Sequence, residues 1–194
     1  KPLTAETAEI IRQKNYQNII LLPLYPHFSV STTGSSFNEW DRVYKGDQSR
    51  VRKINNYFKH PGYVAALNDK IDEGLLKFPE QIRSHVLLLF SAHGTPVSMV
   101  KKGDPYSKEI KETIDAVMSL RNNSHDYELS FQSKVGPVEW LKPATDEKIE
   151  ELSKAGKKHL LVIPVSFVSD HIETLFELDI EYRHVADSAG IENF

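Results

Sequence analysis

The sequence contains no cysteine among its 194 residues. Disulfides, zinc–thiolate sites and cysteine-ligated iron–sulfur clusters are therefore excluded within this chain. No apolar run approaches the roughly 20 residues that a membrane-spanning helix needs, and no signal peptide is visible. The net charge of −3 gives no electrostatic reason to expect binding to nucleic acid or to an anionic membrane. The chain does not begin with Met, and we expect it to be a piece of a longer protein.

Short apolar runs alternate with amphipathic segments along the chain. Buried strands are predicted from apolar runs at 19–25, 86–91, 127–132 and 160–167. Helices are predicted at 2–14, 35–44 and 63–77, and from caps or entries at Asp104, Thr145 and His171. This alternation indicates an α/β fold with a mainly parallel sheet covered on both faces. Polarity rises around residues 51–61, which favours a break there between two such sheets.

Histidines follow three of the four predicted strands, where a parallel sheet places its binding crevice. They are His27, His93 and His171. The position of His93 directly after a long apolar run favours a functional role over a loop histidine bonded to backbone. His60, which precedes Pro61, could be no more than a helix entry, and His27 is interpreted in the same way.

Carboxylates recur after the last predicted strand at three- and four-residue spacing: Asp170, Glu173, Glu177 and Glu181. On an α-helix, at about 100° per residue, they would share roughly one quarter of the surface. Such a stripe beside a histidine could hold a divalent cation or move protons. Alternatively, Asp170 and Glu173 could form a capping box, and Glu177 and Glu181 could be a solvated face.

Two further features lie near the predicted strand ends. The Ser/Thr-rich run 29–36 could cap the next helix or offer hydroxyls and amides to an anion such as a carboxylate. It lacks the spacing of a Walker A loop or a dinucleotide fingerprint. The aromatic residues Tyr25, Phe28, Trp140 and Phe167 could belong to the core or contact a flat aromatic ligand.

Five segments, taken together, resemble ferrochelatases, the enzymes that insert ferrous iron into a porphyrin to make haem. They are LYPHFSVSTTGSS (24–36), FSAHGTP (90–96), GDPY (103–106), FQSKVGP (131–137) and SDHIETL (169–175). The resemblance runs in order over essentially the whole chain. It implies a chelatase-like fold of two Rossmann-like, doubly wound parallel-sheet halves, the first of them incomplete. Residues 1–57 would be the C-terminal part of the first domain plus a connecting helix, and residues 58–194 the second domain with the metal and proton site.

The resemblance also implies roles for individual residues. His93 matches the family's active-site histidine and Glu173 its acidic partner, and both are expected to contact the metal. Glu177 and Glu181 continue the family's acidic stripe as a proton relay, on a helix with a π-type irregularity. His60 matches a histidine that is catalytic in some members. Beside the macrocycle we predict three aromatic residues, Tyr25, Phe167 and Trp140.

Metal insertion releases two pyrrole protons, and a neutral imidazole can accept a proton near physiological pH. We therefore predict that the imidazole of His93 and the carboxylate of Glu173 face each other across a cavity wide enough for a flat macrocycle. Because the first domain is incomplete, part of the wall that grips the porphyrin is expected to be missing from this chain, which could bind poorly or fail to turn over.

Porphyrin and ferrous iron are the expected partners, with iron as a substrate and no prosthetic group. One cysteine ligand of the cluster in animal-type members would fall at Val30, so no iron–sulfur cluster is expected. Nucleic acid is not an expected partner, and a cytoplasmic location with optional peripheral membrane contact is the default. Protoporphyrin and coproporphyrin remain open as substrates, as does the oligomeric state. Two other functions also remain open: a chelatase that inserts cobalt into another tetrapyrrole, and a non-catalytic metal- or porphyrin-binding protein.

Overall fold

Strands and helices alternate in the computed structural model, which describes residues 2–194. The strands are β1 (Ile19–Leu21), β2 (Val51–Lys53), β3 (Leu87–His93), β4 (Tyr127–Gln132) and β5 (Leu160–Pro164). The α-helices are α1 (Thr4–Lys14), α2 (Ser35–Val43), α3 (Pro61–Leu75), α4 (Val97–Lys101), α5 (Tyr106–Leu120), α6 (Thr145–Lys154) and α7 (Tyr182–Ala189). A first π-helix (Val30–Gly34) leads into α2, and a second π-helix (Glu173–Glu181) leads into α7. Short 3₁₀ turns occupy Gln48–Arg50 and Glu80–His85.

Both sheets are parallel, which confirms the predicted α/β class. β3 lies at the centre of a three-stranded sheet of order β4-β3-β5, and β1 pairs with β2 in a separate two-stranded sheet. In the larger sheet Leu88 of β3 lies opposite Tyr127 on one side and Leu161 on the other. Within residues 2–194, none of the helices is both long enough and apolar enough to cross a bilayer.

Helices cover both faces of β3, which explains the apolar run of its first four residues, Leu87–Phe90. Leu88 and Phe90 pack into one core cluster with residues of α3 and α5, and Leu87 and Leu89 pack into another with residues of α6 and α7. Alternate residues of a strand point to opposite faces, so a strand covered twice needs apolar side chains at every position. Each of these four side chains is at most 3% exposed, and burying one contributes about 1.5–3 kcal/mol.

Two predicted strands are shorter than expected, and one strand was missed. The strand predicted over 19–25 ends at Leu21, before Pro23, and the one predicted over 160–167 ends at Pro164. Proline has no N–H to continue a ladder of hydrogen bonds. β2 lies inside the predicted break at 51–61 and pairs with β1, so the first sheet extends further than predicted. The domain division between 57 and 58 stays a prediction.

Of two predicted helix caps, at Thr145 and Asp104, the structure confirms the second. Thr145 is the first residue of α6, not its cap, and its hydroxyl lies 3.0 Å from the hydroxyls of Ser91 and Ser130 in the core. Asp104 precedes α5 and does cap it, because its Oδ1 accepts a hydrogen bond of 3.0 Å from the Tyr106 amide. Core partners thus use the single hydroxyl of Thr145, whereas Asp104 bonds Ser29 through Oδ2 and keeps Oδ1 for the helix.

The loop after β1 is tied to α5 through a buried carboxylate. Glu109 is 7% exposed, and it accepts hydrogen bonds of 2.7 Å from the amide of Phe28 and from Nδ2 of Asn56. Burial raises the pKa of Glu109, while these two hydrogen bonds act in the opposite direction. This contact fixes the loop that carries Phe28 against the larger sheet's helical layer.

Candidate active site

A cavity of about 440 Å³ opens beyond the carboxyl ends of β1, β3 and β5. This is the edge at which the sequence predicts a binding crevice, and the volume is that of a small-molecule pocket. From the first part of the chain it is lined by Tyr25, His27, Ser29, Ser31 and Thr32. From the second part it is lined by residues that include His93, Gly94, Thr95, Tyr106, Trp140, Ser166, Phe167 and Glu173.

His93 and Glu173 are in direct contact on the wall of this cavity. His93 ends β3, Glu173 begins the second π-helix, and Nδ1 of His93 lies 2.9 Å from Oε2 of Glu173. Their side chains are 39% and 34% exposed, so both remain open to the cavity. The capping box between Asp170 and Glu173 is not formed. The carboxylate of Glu173 contacts His93, and the backbone amide of Glu173 donates a hydrogen bond of 3.1 Å to Nδ1 of His171.

The prediction that His93 and Glu173 face each other across a macrocycle-wide gap is wrong. A separation of 2.9 Å leaves no room for a ligand between them. The reason is the strand order: β3 and β5 are neighbours, so the segments that follow them start about 5 Å apart. The open space of the cavity therefore lies beside the pair and not between its two side chains.

The pair alone does not complete a metal site. Among the described residues, no three or more His, Asp or Glu side chains are grouped so that they could hold a metal ion. His93 and Glu173 offer one imidazole nitrogen and carboxylate oxygens, a mixed donor set that suits a borderline divalent cation. A cation bound here has to take its other ligands from water or from a second bound molecule.

Glu177 is held away from the cavity by a separate set of donors. Its Oε1 accepts hydrogen bonds of 2.8 Å from the Ser133 amide and from the Tyr182 hydroxyl, and the Ser133 hydroxyl donates to Oε2. Ser133 adopts a left-handed backbone conformation with φ of 64°, which turns its amide and its hydroxyl toward one carboxylate. Burial, and then the contact with Glu177, raise the pKa of Tyr182. Glu177 is therefore not part of a solvated face, whereas Glu181 is exposed.

The helix that carries these carboxylates is a π-helix over Glu173–Glu181, as the resemblance implies. Its hydrogen bonds run from i to i+5, so each residue turns by less than the 100° of an α-helix. Four residues are then slightly less than one full turn, so Glu173, Glu177 and Glu181 still lie near one face of the helix, whereas Asp170 precedes the helix and is not part of the predicted stripe. Glu173 reaches His93, Glu177 reaches Ser133, and Glu181 reaches solvent.

All three predicted aromatic contacts, Tyr25, Trp140 and Phe167, line the cavity. The ring of Phe167 stands edge-on to His93, with ring centroids 6.2 Å apart, and edge-on to His171 at 4.1 Å. Nε1 of Trp140 donates a hydrogen bond of 3.1 Å to the Val135 carbonyl. A role beside a macrocycle stays a prediction for these residues.

His60 and His27, which were both interpreted as helix entries, lie in different environments. His60 is exposed at the start of α3, where its Nδ1 accepts a hydrogen bond of 3.2 Å from the Gly62 amide, and it does not line the cavity. Its catalytic role stays a prediction. His27 is 1% exposed and lines the cavity, with Nε2 2.8 Å from Oγ1 of Thr113. Burial lowers the pKa of His27 to about 3. Sequence reasoning missed His27, although its neighbours Pro26 and Phe28 hinted at burial.

The Ser/Thr-rich run binds an anion that the protein itself supplies. Oδ2 of Asp104 accepts hydrogen bonds of 2.9 Å from the Ser29 hydroxyl and 2.8 Å from the Val30 amide, at the start of the first π-helix. Ser29 also caps this helix, because its Oγ accepts from the Ser31 amide at 3.3 Å. The predicted cap is confirmed, and the amide at the helix start is already bonded to a carboxylate.

Comparison with known proteins agrees with the resemblance noted in the sequence. The ferrochelatase family profile matches residues 1–194. The chain is 47% identical over 199 residues to the ferrochelatase of Trichodesmium erythraeum (strain IMS101), covering 100% of this chain and 51% of the relative. It is 48% identical over 196 residues to the ferrochelatase of Geotalea uraniireducens (strain Rf4), covering 100% of this chain and 60% of the relative. The chain thus spans about half the length of the curated relatives it matches. It belongs to the ferrochelatase family.

Proposed function

We propose that the protein containing this chain inserts ferrous iron into a porphyrin, with release of two pyrrole protons. Family membership supports this reaction. The observation that carries it is the contact of 2.9 Å between His93 and Glu173 on the wall of a cavity lined by Tyr25, Trp140 and Phe167. Aromatic walls suit a flat macrocycle, and the imidazole–carboxylate pair suits the transfer of its protons.

The pair also decides which imidazole nitrogen can react. A carboxylate only accepts hydrogen bonds, so Nδ1 of His93 carries the proton that is donated to Glu173. The neutral imidazole then has its lone pair on Nε2, ready to accept a pyrrole proton or to make the first contact with iron. When Nε2 gains a proton, the neighbouring carboxylate of Glu173 stabilises the resulting positive charge.

We further propose that Glu177 and Glu181 pass protons from the cavity to solvent. Their order along the second π-helix supports this route. Glu173 lines the cavity, Glu177 is half-buried, and Glu181 is exposed. The Ser133 and Tyr182 hydroxyls beside Glu177 are groups that can take part in proton transfer.

The test uses the complete protein and this chain side by side, each with protoporphyrin IX and Fe²⁺ without oxygen, or with Zn²⁺. Absorption spectra should show conversion to the metalloporphyrin by the complete protein, and repeating the assay with coproporphyrin III identifies the preferred substrate. His93→Ala should lose the activity, and His184→Ala, which removes an exposed histidine, should keep it. A spectral shift on binding without metalloporphyrin would contradict the proposal and indicate a binding protein. Insertion of Co²⁺ into a different tetrapyrrole alone would indicate the cobalt chelatase.

We also propose that the protein needs no iron–sulfur cluster and acts in the cytoplasm, with peripheral contact to a membrane. Animal-type members are expected to have a cluster cysteine where this chain has Val30. The valine supports the absence of a cluster and the resemblance to bacterial-type members. The exposed apolar side chains of Val30 (57%) and Ile172 (74%) support membrane contact. Fractionation of cells that express the complete protein, with a carbonate wash of the membranes, tests both locations.

A further inference from the structure

Three hydrogen bonds close a ring around the backbone of His93. Its amide donates to Oγ of Ser166 at 3.0 Å. Oγ of Ser166 lies 2.6 Å from the hydroxyl oxygen of Tyr106, which lies 3.0 Å from the carbonyl oxygen of His93. The three residues come from the end of β3, from the segment after β5 and from the first turn of α5. The ring therefore joins three elements at one residue.

The direction of each hydrogen bond in this ring is fixed by chemistry. A carbonyl oxygen only accepts, so the single hydroxyl proton of Tyr106 is donated to His93. Ser166 must then donate to the Tyr106 oxygen while it accepts from the His93 amide. All the bonds run in one sense around the ring, and bonds arranged in this way polarise and strengthen one another. Ser166 and Tyr106 are each 7% exposed, so water competes little with the ring.

The ring takes the place of strand pairing at this point. β5 ends at Pro164, which lies opposite Ser91, so its ladder with β3 stops two residues before His93. β4 still pairs with His93 through Gln132, but on the side of β5 the His93 amide would be left unsatisfied. Ser166 accepts that amide hydrogen, and Tyr106 binds the carbonyl on the same residue.

We propose that Ser166 and Tyr106 are positioning residues, which hold the backbone of His93 so that its imidazole meets Glu173. Both side chains line the cavity, and binding a ligand is the competing role for them. However, the ring already uses the proton of each hydroxyl, so neither is free to donate to a bound molecule. The effect on turnover rests on the proposed function, but the ring itself does not.

Amide hydrogen exchange in this chain tests the ring directly. We compare Tyr106→Phe, Ser166→Ala and the double variant with Tyr127→Phe, a control that removes the hydroxyl of a tyrosine that is 40% exposed. Each single change should speed exchange of the His93 amide about 10-fold, the effect of losing one buried hydrogen bond. Exchange at Leu89, in the middle of β3, should not change. The double variant should exchange no faster than the faster single variant, because either change opens the whole ring.

Unchanged exchange at His93, or equal acceleration at Leu89, would overturn the ring as a local device. The ring would also be overturned if the acceleration in the double variant equalled the product of the two single accelerations. The ¹⁵N NMR chemical shifts of the His93 imidazole are a second measurement. They should change in both single variants and not in Tyr127→Phe. If one variant fails to fold, the other still decides the outcome.

Turnover by the complete protein tests the consequence for His93. With Zn²⁺ and protoporphyrin IX, both single variants should lower kcat about 10-fold and leave the KM for porphyrin unchanged. A rise in KM alone would mean that the hydroxyls contact the ligand, and an unchanged kcat would mean that the ring does not aim the imidazole. Either result would overturn the positioning role. If the unaltered protein inserts no metal, the proposed function fails, whereas the exchange result for the ring still stands.

Discussion

His27 and His93 each follow a strand and line the same cavity, yet their environments are opposite. The side chain of His93 is 39% exposed and contacts a carboxylate. His27 is 1% exposed and contacts a hydroxyl. Burial opposes a positive charge on the His27 imidazole and lowers its pKa to about 3. The place of a histidine at a strand end therefore does not by itself decide its chemical role.

The two histidines also present different nitrogens. Oγ1 of Thr113 donates to a backbone carbonyl, at Phe58 (3.0 Å) or Glu109 (3.1 Å), so it accepts from Nε2 of His27. The lone pair of His27 is then on Nδ1, which finds no hydrogen-bond partner within residues 2–194. In His93 the arrangement is reversed, with the proton on Nδ1 and the lone pair on Nε2.

The largest expected effect comes from breaking the pair of His93 and Glu173. His93→Ala or Glu173→Gln in the complete protein should lower metal insertion by about 10²-fold or more, because general acid–base groups typically contribute 10²–10⁴-fold. Stopped-flow absorption with protoporphyrin IX and Zn²⁺ measures the rate. Porphyrin affinity, from fluorescence titration, should change far less. Equal losses of rate and affinity for Glu173→Gln would indicate a structural contact instead.

The wall that carries His93 should tolerate no added atoms. A Cβ at Gly94 would lie 2.7 Å from the backbone oxygen of Gln132 and 3.3 Å from the Trp140 ring. Gly94→Ala should therefore lower the free energy of unfolding by about 1–3 kcal/mol, measured by urea denaturation. Gly62→Ala is the control, since its Cβ would meet only the His60 side chain, at 3.3 Å. A Gly94→Ala protein as stable as the unaltered chain would show that this wall can move.

His27 should make the protein sensitive to acid. Its pKa is lowered to about 3 in the folded chain, against about 6.5 when unfolded. The unfolded chain therefore binds more protons between these values. The stability that neutral His27 contributes to the folded chain is complete above pH 6.5 and is lost as the pH falls toward 3. The loss is up to about 1.4 kcal/mol per pH unit.

His27→Gln removes this titration, so its free energy of unfolding should fall less steeply than that of the unaltered chain below pH 6.5. Urea denaturation at a series of pH values measures the slope. His184→Gln, at an exposed position, should keep the original slope. Identical slopes in all three proteins would mean that His27 gains its proton without opposing the fold.

The smallest effect is expected at His60. His60→Asn keeps a side chain that can cap α3 but removes the imidazole, so the free energy of unfolding should change little, and turnover should fall only if the imidazole is catalytic. His60→Ala should cost about 1 kcal/mol through loss of the cap. A large drop in turnover for His60→Asn, measured with Zn²⁺, would instead support the catalytic role that the resemblance implies.

The sequence predicts the elements whose identity depends on their own residues. The apolar run that becomes β3 is long enough to be recognised, and the cap at Asp104 depends on the residues next to it. The place of the cavity follows from parallel strands alone. β2 was missed because Val51–Lys53 has no apolar run, and it becomes a strand only because β1 lies beside it.

The details of the site depend on partners that are distant in the chain. Thr145 was expected to cap a helix and instead bonds Ser91 and Ser130, which come from two other strands. Glu177 has the spacing of a solvated helix face, and Ser133 at the end of β4 draws it inward. Burial of His27 depends on Thr113, 86 positions along the chain. Local patterns contain no information about such contacts, whereas the resemblance did supply the π-helix.

Asp104 and Glu109 have a consequence for how a ligand enters. Both carboxylates are 7% exposed, and together they bind the amides of Phe28 and Val30. A hinge between the two sheets would have to break these bonds to charged groups, each worth about 1.5–3 kcal/mol. We therefore expect a molecule to enter the cavity without a change in the relative position of the two sheets.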